Sequence, residues 1–173
     1  REQLKEVAEQ ESASLNNLLI SFQNSIKTIT TLDSEFENFQ TKEVLNWIRM
    51  ITSAGATSDI IIANRDGKIV SASGKNYAIE NESYFKRVMS GKDVISGVRR
   101  QSTDDENEFI VCSPIIRNDK VVGAIFGIYQ TKSISDLLDV TSFEGTGYSH
   151  VFQVSDGRFI SYSNHAVDSV IQP

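Results

Sequence analysis

An internal repeat constrains the fold of this chain more than any other feature of its sequence. Residues 61–73 and 151–163 match at a constant offset of 90 positions, and each reads as an apolar run, an Asp-Gly-basic turn, two apolar residues and Ser-x-Ser. Asp-Gly supplies the positive φ that a tight β-hairpin needs, so each copy predicts a hairpin. The repeat therefore predicts two modules of one kind, of which the second would be incomplete after its first hairpin.

The residues before Gly55 include neither glycine nor proline, and their apolar spacing is helical. From Leu4 to Ile29, apolar or small residues recur at steps close to alternating four and three, which predicts one helix over the first 32 residues. At about 1.5 Å per residue it would run roughly 45 Å. Further helical stretches are predicted after Asp33 and after Thr41. The long helix either forms a stalk or homodimer seam or packs on its own domain, and the sequence favours neither.

From residue 58 the periodicity changes to that of short strands. The predicted elements are a hairpin of 59–63 and 68–71, a helix over 83–90, a meander of 94–99, 109–116 and 121–129, and a helix after Ser133. Five strands with a helix after the second predict an α+β, PAS-like fold, in which the long N-terminal helix packs on a five-stranded antiparallel sheet. The predicted domains are 1–54 (helices), 55–132 (first module) and 133–173 (linker helix and first hairpin of an incomplete second module).

Charge and motifs exclude several functions. The net charge of −6, from 17 basic and 23 acidic residues, argues against binding nucleic acid or anionic lipid. His150 and His165 form no metal-ligand spacing, and no nucleotide-binding or hydrolase motif occurs. We therefore expect no enzyme, cofactor or metal. Cys112 lies in an apolar run and is expected to be a small buried residue, and the acidic run 104–108 to be a solvated hairpin.

Membrane anchors are not visible in the sequence. The longest apolar run, Val121–Ile128, is far shorter than the roughly 20 residues of a membrane span. Because the chain begins inside a helical pattern without methionine, we expect it to be a segment of a longer protein, with any anchors outside it.

Two segments carry a family resemblance. In Ser83–Lys92 a Tyr-Phe pair lies on a short helix that ends in glycine, and Cys112–Ile125 contains a Ser-Pro-apolar strand, a turn and a Gly-apolar-apolar strand. In this order and spacing they resemble the Cache family of extracytoplasmic sensors, especially its double-Cache type. The resemblance implies a periplasmic or cell-surface sensing domain of a bacterial membrane receptor. Its output domain, outside this chain, would be a diguanylate cyclase, a histidine kinase or a chemotaxis transducer.

The resemblance also implies a small-molecule pocket in the first module, between the sheet and the short helix. The ligand-binding residues it implies are Tyr84, Phe85, Ser96, Arg99, Ser113, Phe126 and Ile128. Tyr84 offers a ring and a hydroxyl, and Arg99 offers a fork for a carboxylate or phosphate. The alternatives are that Tyr84 and Phe85 simply pack the helix on the sheet and that Arg99 faces solvent.

Two departures from the family pattern concern the ligand. Amino-acid-binding members of the family carry a motif similar to Arg-x-Trp-Tyr at the short helix and an aspartate on the last strand. This chain has Glu82 at the position of the arginine and Ile128 at that of the aspartate. We therefore expect a small molecule other than an ordinary amino acid. The alternatives are a ligand-free structural or dimerisation module with a filled pocket, and a cytoplasmic PAS module that binds a cofactor.

Overall fold

The computed structural model describes residues 2–31, 42–54, 57–100, 107–141, 150–152 and 159–162. The helices are α1 (Glu2–Thr31), α2 (Lys42–Ala54), α3 (Ser83–Met89) and α4 (Lys132–Thr141). The strands are β1 (Asp59–Asn64), β2 (Ile69–Ser71), β3 (Val94–Ile95), β4 (Arg99–Arg100), β5 (Asn107–Arg117), β6 (Lys120–Gln130), β7 (His150–Phe152) and β8 (Phe159–Tyr162). The helix predicted after Asp33 and the turn of the second hairpin lie outside the described residues.

The main sheet confirms the predicted α+β fold. Its strands lie in the order β2-β1-β6-β5-β3, with β4 also paired to β5. The predicted edge strand 94–99 is divided into β3 and β4, because between them the side chain of Ser96 replaces a backbone partner. The Ser96 N–H donates to the Ile110 carbonyl over 2.8 Å, and the Ile110 N–H donates to Ser96 Oγ over 2.8 Å. The sheet therefore has the five predicted strand positions, and the position next to β5 at its edge is occupied by both β3 and β4.

Strand β1 shows how the sheet serves two cores. Ile60 and Ile62 belong to the buried cluster that includes residues of α1 and α2, whereas Ile61 and Ala63 belong to the cluster that includes residues of α3. Successive side chains of a strand point to opposite faces, so this alternation places helices on both sides of the sheet. A continuous apolar run is the sequence pattern of such a strand.

Helix α1 packs on the sheet through its C-terminal third. Phe22, Ile26 and Ile29 are buried, whereas residues 5–20 include none that is buried. Ile26 lies directly over Gly127, where an added Cβ would come within 2.6 Å of the Ile26 Cδ1 atom. The last turn of α1 is held by Arg117, whose Nη1 donates to the Thr30 carbonyl over 2.9 Å. A cation at this position also complements the helix dipole.

The predicted tight turns adopt left-handed backbone conformations. Gly67 has a φ of 78° in the Asp-Gly turn between β1 and β2. Asn118 and Asp119, with φ of 48° and 59°, join β5 to β6 in a two-residue turn. Positive φ at both central residues matches the twist of the flanking strands, which explains why these residue types stand there.

The chain divides into two compact units, one of 21–97 and 109–129 and one of 1–20, 98–108 and 130–173. In the second unit, β7 and β8 pair antiparallel, with His150 opposite Tyr162, as the repeat predicts. The domain boundaries at 54 and 132 stay a prediction. Among the described residues, no helix combines the length and apolar character that a bilayer span requires.

Candidate functional site

The α3 side of the sheet carries a cluster of aromatic side chains. Tyr84 meets the Phe126 ring edge-on at a centroid distance of 6.2 Å, and Phe85 stacks on Phe126 at 6.0 Å with an interplanar angle of 11°. Ile128 continues the same cluster along β6. We call these four residues the aromatic face. Each is at most 7% exposed, so the face is a packed apolar surface beneath a short helix.

The local sequence explains how α3 covers this face. Tyr84, Phe85 and Val88 are buried, and they recur at the spacing that places side chains on one stripe of a helix. Gly91, with a φ of 90°, ends the helical segment, and its N–H donates to the Val88 carbonyl over 2.9 Å. An amphipathic helix of seven residues therefore lies over the sheet with its aromatic pair inward.

The aromatic face contains four of the seven residues that the sequence analysis assigned to a ligand site. Their role in binding stays a prediction. The remaining three, Ser96, Arg99 and Ser113, have polar side chains with contacts to other parts of the protein. Ser96 uses its hydroxyl in the backbone ladder with β5, where it also donates to the Gly97 carbonyl over 2.8 Å.

Arg99 directs its guanidinium to a neighbouring strand. Its Nη2 lies 2.7 Å from Glu108 Oε1, and the Glu108 side chain is only 6% exposed. Strand β5 begins at Asn107, so the expectation of a solvated acidic hairpin is wrong for Glu108, which is a partner within the sheet. Residues 104–106 of that run lie outside the described residues. One nitrogen of the Arg99 fork is thus engaged by a protein carboxylate, whereas its Nε is buried and has no hydrogen-bond partner among the described residues.

Ser113 contributes to the contact with α1. It is 1% exposed, and its hydroxyl donates to Asp93 Oδ1 over 2.7 Å. The other carboxylate oxygen of Asp93 lies 3.1 Å from the Lys27 ammonium on α1. This arrangement ties the strand to the helix on the side of the sheet opposite the aromatic face.

Cys112 lies among the residues that pack around the aromatic face, and it is fully buried. Burial raises the pKa of its thiol to about 12, since a thiolate would lose its hydration there. The expectation of a small buried side chain is therefore confirmed. Among the described residues, no three His, Cys, Asp or Glu side chains are grouped so as to hold a metal ion.

A buried carboxylate on the same side of the sheet escaped the sequence analysis. Asp59 is 3% exposed and stands opposite Ile128 in the register of β1 and β6, so the two side chains share a face. Its oxygens accept hydrogen bonds from the Ile60 and Ser73 N–H groups at 2.8 and 3.0 Å, and from the hydroxyls of Ser73 and of Tyr77, the latter at 2.7 Å. The available signal was a charged residue directly preceding an apolar run.

Solved structures of the same fold are ligand-binding domains. That of the Campylobacter jejuni chemoreceptor Tlp3, in complex with 4-methylisoleucine, has a TM-score of 0.74 at 10% identity and covers 97% of this chain and 71% of its own. The domain of Pseudomonas aeruginosa PctB, in complex with L-Arg, has a TM-score of 0.73 at 14% identity and covers 92% of this chain and 69% of its own. The domain of Pseudomonas fluorescens CtaA, in complex with L-alanine, has a TM-score of 0.74 at 12% identity and covers 95% of this chain and 72% of its own. At such identities the likeness establishes the fold alone.

These structures overturn one conclusion of the sequence analysis. Excluding an ordinary amino acid as the ligand was wrong, because domains with this fold are in complex with L-Arg and L-alanine. The exclusion assumed that Glu82 and Ile128 decide the charge of the whole site. In the structure, the lack of a carboxylate at Ile128 does not leave this side of the sheet without one, because Asp59 lies directly opposite.

The sequence as a whole gives the same classification as the fold. No curated protein matches the chain at a significant level. The Cache domain family, by contrast, matches residues 1–169, which is nearly the full length. With the long first helix, the antiparallel sheet and the short aromatic helix over it, the chain belongs to the Cache domain family.

Proposed function

We propose that this chain is the small-molecule sensing domain of a bacterial signal-transduction receptor, that it lies outside the cytoplasm, and that it passes ligand occupancy to a cytoplasmic output domain. Membership of the Cache family and the shared fold with chemoreceptor ligand-binding domains support this proposal. The observation that carries it is the aromatic face, a buried ring cluster on a sheet beneath a short amphipathic helix. Amino acids, which the compared domains bind, are the first ligand class to test.

The proposed binding site is the aromatic face itself. Ser96, Arg99 and Ser113 are left out of the proposed site, because the two serine hydroxyls and the Arg99 Nη2 group already contact protein partners. Because the face is packed, a ligand must take its space from side chains, and α3 is the element that can yield. A ligand that binds the displaced arrangement better than the packed one shifts the population toward it. That shift is the signal in this proposal.

Thermal denaturation with a panel of the twenty L-amino acids tests the proposal. A ligand at 100 times its Kd stabilises the native state by about 2.7 kcal/mol. For a domain of this size, that raises Tm by roughly 5–10 °C. A Tyr84→Ala variant should lose the shift, whereas Ile116→Ala, at a residue 47% exposed, should keep it. No shift with any amino acid, or an equal shift in both variants, would contradict the proposal.

The second candidate function is a ligand-free structural or dimerisation module. The close packing of the aromatic face favours it, because ring surfaces that contact one another are not available to contact a ligand. Sedimentation at several protein concentrations separates the candidates. A stable dimer that Leu15→Glu on α1 dissociates, together with no amino-acid shift, would favour the structural role.

A further inference from the structure

The Asp59 carboxylate joins two separate parts of the first module. Asp59 belongs to β1, which is paired on both sides in the sheet. Its partners Ser73 and Tyr77 belong to the connection of residues 72–82 between β2 and α3. One carboxylate thus accepts three hydrogen bonds from a loop, from two hydroxyls and one backbone amide. Hydrogen bonds to a charged acceptor are stronger than those between neutral groups.

The connection 72–82 helps to cover the aromatic face. Ile79 is 1% exposed and packs in the same cluster as Tyr84 and Phe126, and the Tyr77 ring packs against that cluster. The connection then leads directly into α3, and the Glu82 N–H donates to the Ile79 carbonyl over 3.0 Å. Whatever fixes residues 73–77 therefore also fixes the cover of the proposed site.

The internal repeat indicates that this carboxylate is not required to build the hairpin. The second copy keeps the Asp-Gly turn and the Ser-x-Ser of the first copy. At the same offset of 90, however, Ser149 stands at the position of Asp59 and Val167 at that of Tyr77. The hairpin pairs antiparallel in both copies. The carboxylate and the phenol are therefore particular to the module that carries the aromatic face.

We propose that Asp59 is a positioning residue of the ligand site, which through Ser73 and Tyr77 holds the connection 72–82 closed over the aromatic face. The inference rests on the proposed function, since the site it positions is the one proposed there. Opening of this connection, and with it access to the site, depends on how strongly Asp59 retains its hydroxyl partners.

Cys112 provides a direct measurement of that opening. The thiol is fully buried in the cluster beneath this cover, and burial keeps it protonated, so a disulfide reagent such as DTNB reaches it only in an open state. The labelling rate of the single cysteine under native conditions then reports the population of that state. Asp59→Asn should raise this rate about tenfold or more, as expected when hydrogen bonds to a charged acceptor are lost. Tyr77→Phe, which keeps the ring, should give a smaller increase.

Two matched variants make the result decisive. Ile125→Val lowers global stability from the opposite face of the sheet, and Asp66→Asn makes the same chemical change at an exposed position of the β1–β2 turn. The labelling rates are compared at urea concentrations that give all variants the same unfolding free energy. Faster labelling in Asp59→Asn and in Tyr77→Phe than in Ile125→Val under these conditions supports the proposal. Equal rates in these variants, or equal rates in Asp59→Asn and Asp66→Asn, overturn it. Because no ligand is added, this outcome is independent of the amino-acid screen.

Discussion

Gly127→Ala tests the packing of α1 on the sheet. An added Cβ would lie 2.6 Å from Ile26 Cδ1 and 2.9 Å from Tyr129 Cε2, about 1 Å inside an ordinary carbon contact. The Tyr129 ring cannot retreat easily, because it stacks on Phe22 at a centroid distance of 4.0 Å. Such overpacking costs about 1–3 kcal/mol, and alanine recovers about 0.4–1 kcal/mol by restricting the unfolded chain. We expect a net loss of about 1–2 kcal/mol, and a fall in Tm of roughly 2–8 °C.

A double-mutant cycle with Ile26→Val assigns this loss to the named contact. Valine lacks the Cδ1 atom that lies closest to the added Cβ, and alone it should cost about 0.5–1.5 kcal/mol. The double variant should be more stable than the sum of the single losses predicts, by about 0.5–1 kcal/mol. Urea unfolding measures all four proteins. Strict additivity, or a Gly127→Ala protein as stable as the wild type, would show that α1 does not lie this close to β6.

Three further predictions concern polar groups. Glu108→Gln should lower the unfolding free energy by about 1–2 kcal/mol, between the values for exposed and buried pairs, because it leaves Arg99 without its carboxylate; unchanged urea midpoints would contradict this. Arg117→Met should cost about 1 kcal/mol by removing the bond to the Thr30 carbonyl, and thermal unfolding that matches the wild type would refute it. Because burial raises the pKa of Cys112 from 9.0 to about 12, the protonated thiol stabilises the fold below pH 9, and this contribution is lost as the pH rises toward 12; urea unfolding from pH 8 to 11 should show a steeper loss in the wild type than in Cys112→Ala, and parallel curves would disprove the assignment.

Periodicity and turn chemistry were enough to predict the long first helix and the two tight hairpins of the main sheet. The alternating steps of three and four gave α1, and the positive-φ residues at Gly67 and at Asn118-Asp119 gave both hairpins. These features are local, so they can be read from neighbouring residues. The break of the edge strand at Ser96 could not be predicted, because it depends on a hydroxyl that meets the Ile110 amide across the sheet.

The candidate site was predictable only where side chains act by packing. Tyr84 and Phe126 come together because apolar patterns bring helix and strand faces into contact. The partners of the polar candidates could not be predicted, because they depend on contacts between elements of the folded chain, as between Ser113 and Asp93. Asp59 was missed for the converse reason, since its hydrogen bonds to the connection 72–82 exist only once the hairpin has formed.

Because successive side chains of β1 belong alternately to the two cores, the number of residues in this strand is constrained. Ile60 and Ile62 serve one core and Ile61 and Ala63 the other, so inserting or deleting a single residue would exchange the two sets. Replacing one apolar side chain with another of similar volume disturbs only one contact at a time. The fold therefore tolerates low sequence identity, as the 10–14% shared with the compared domains illustrates, while the residue count of β1 remains constrained.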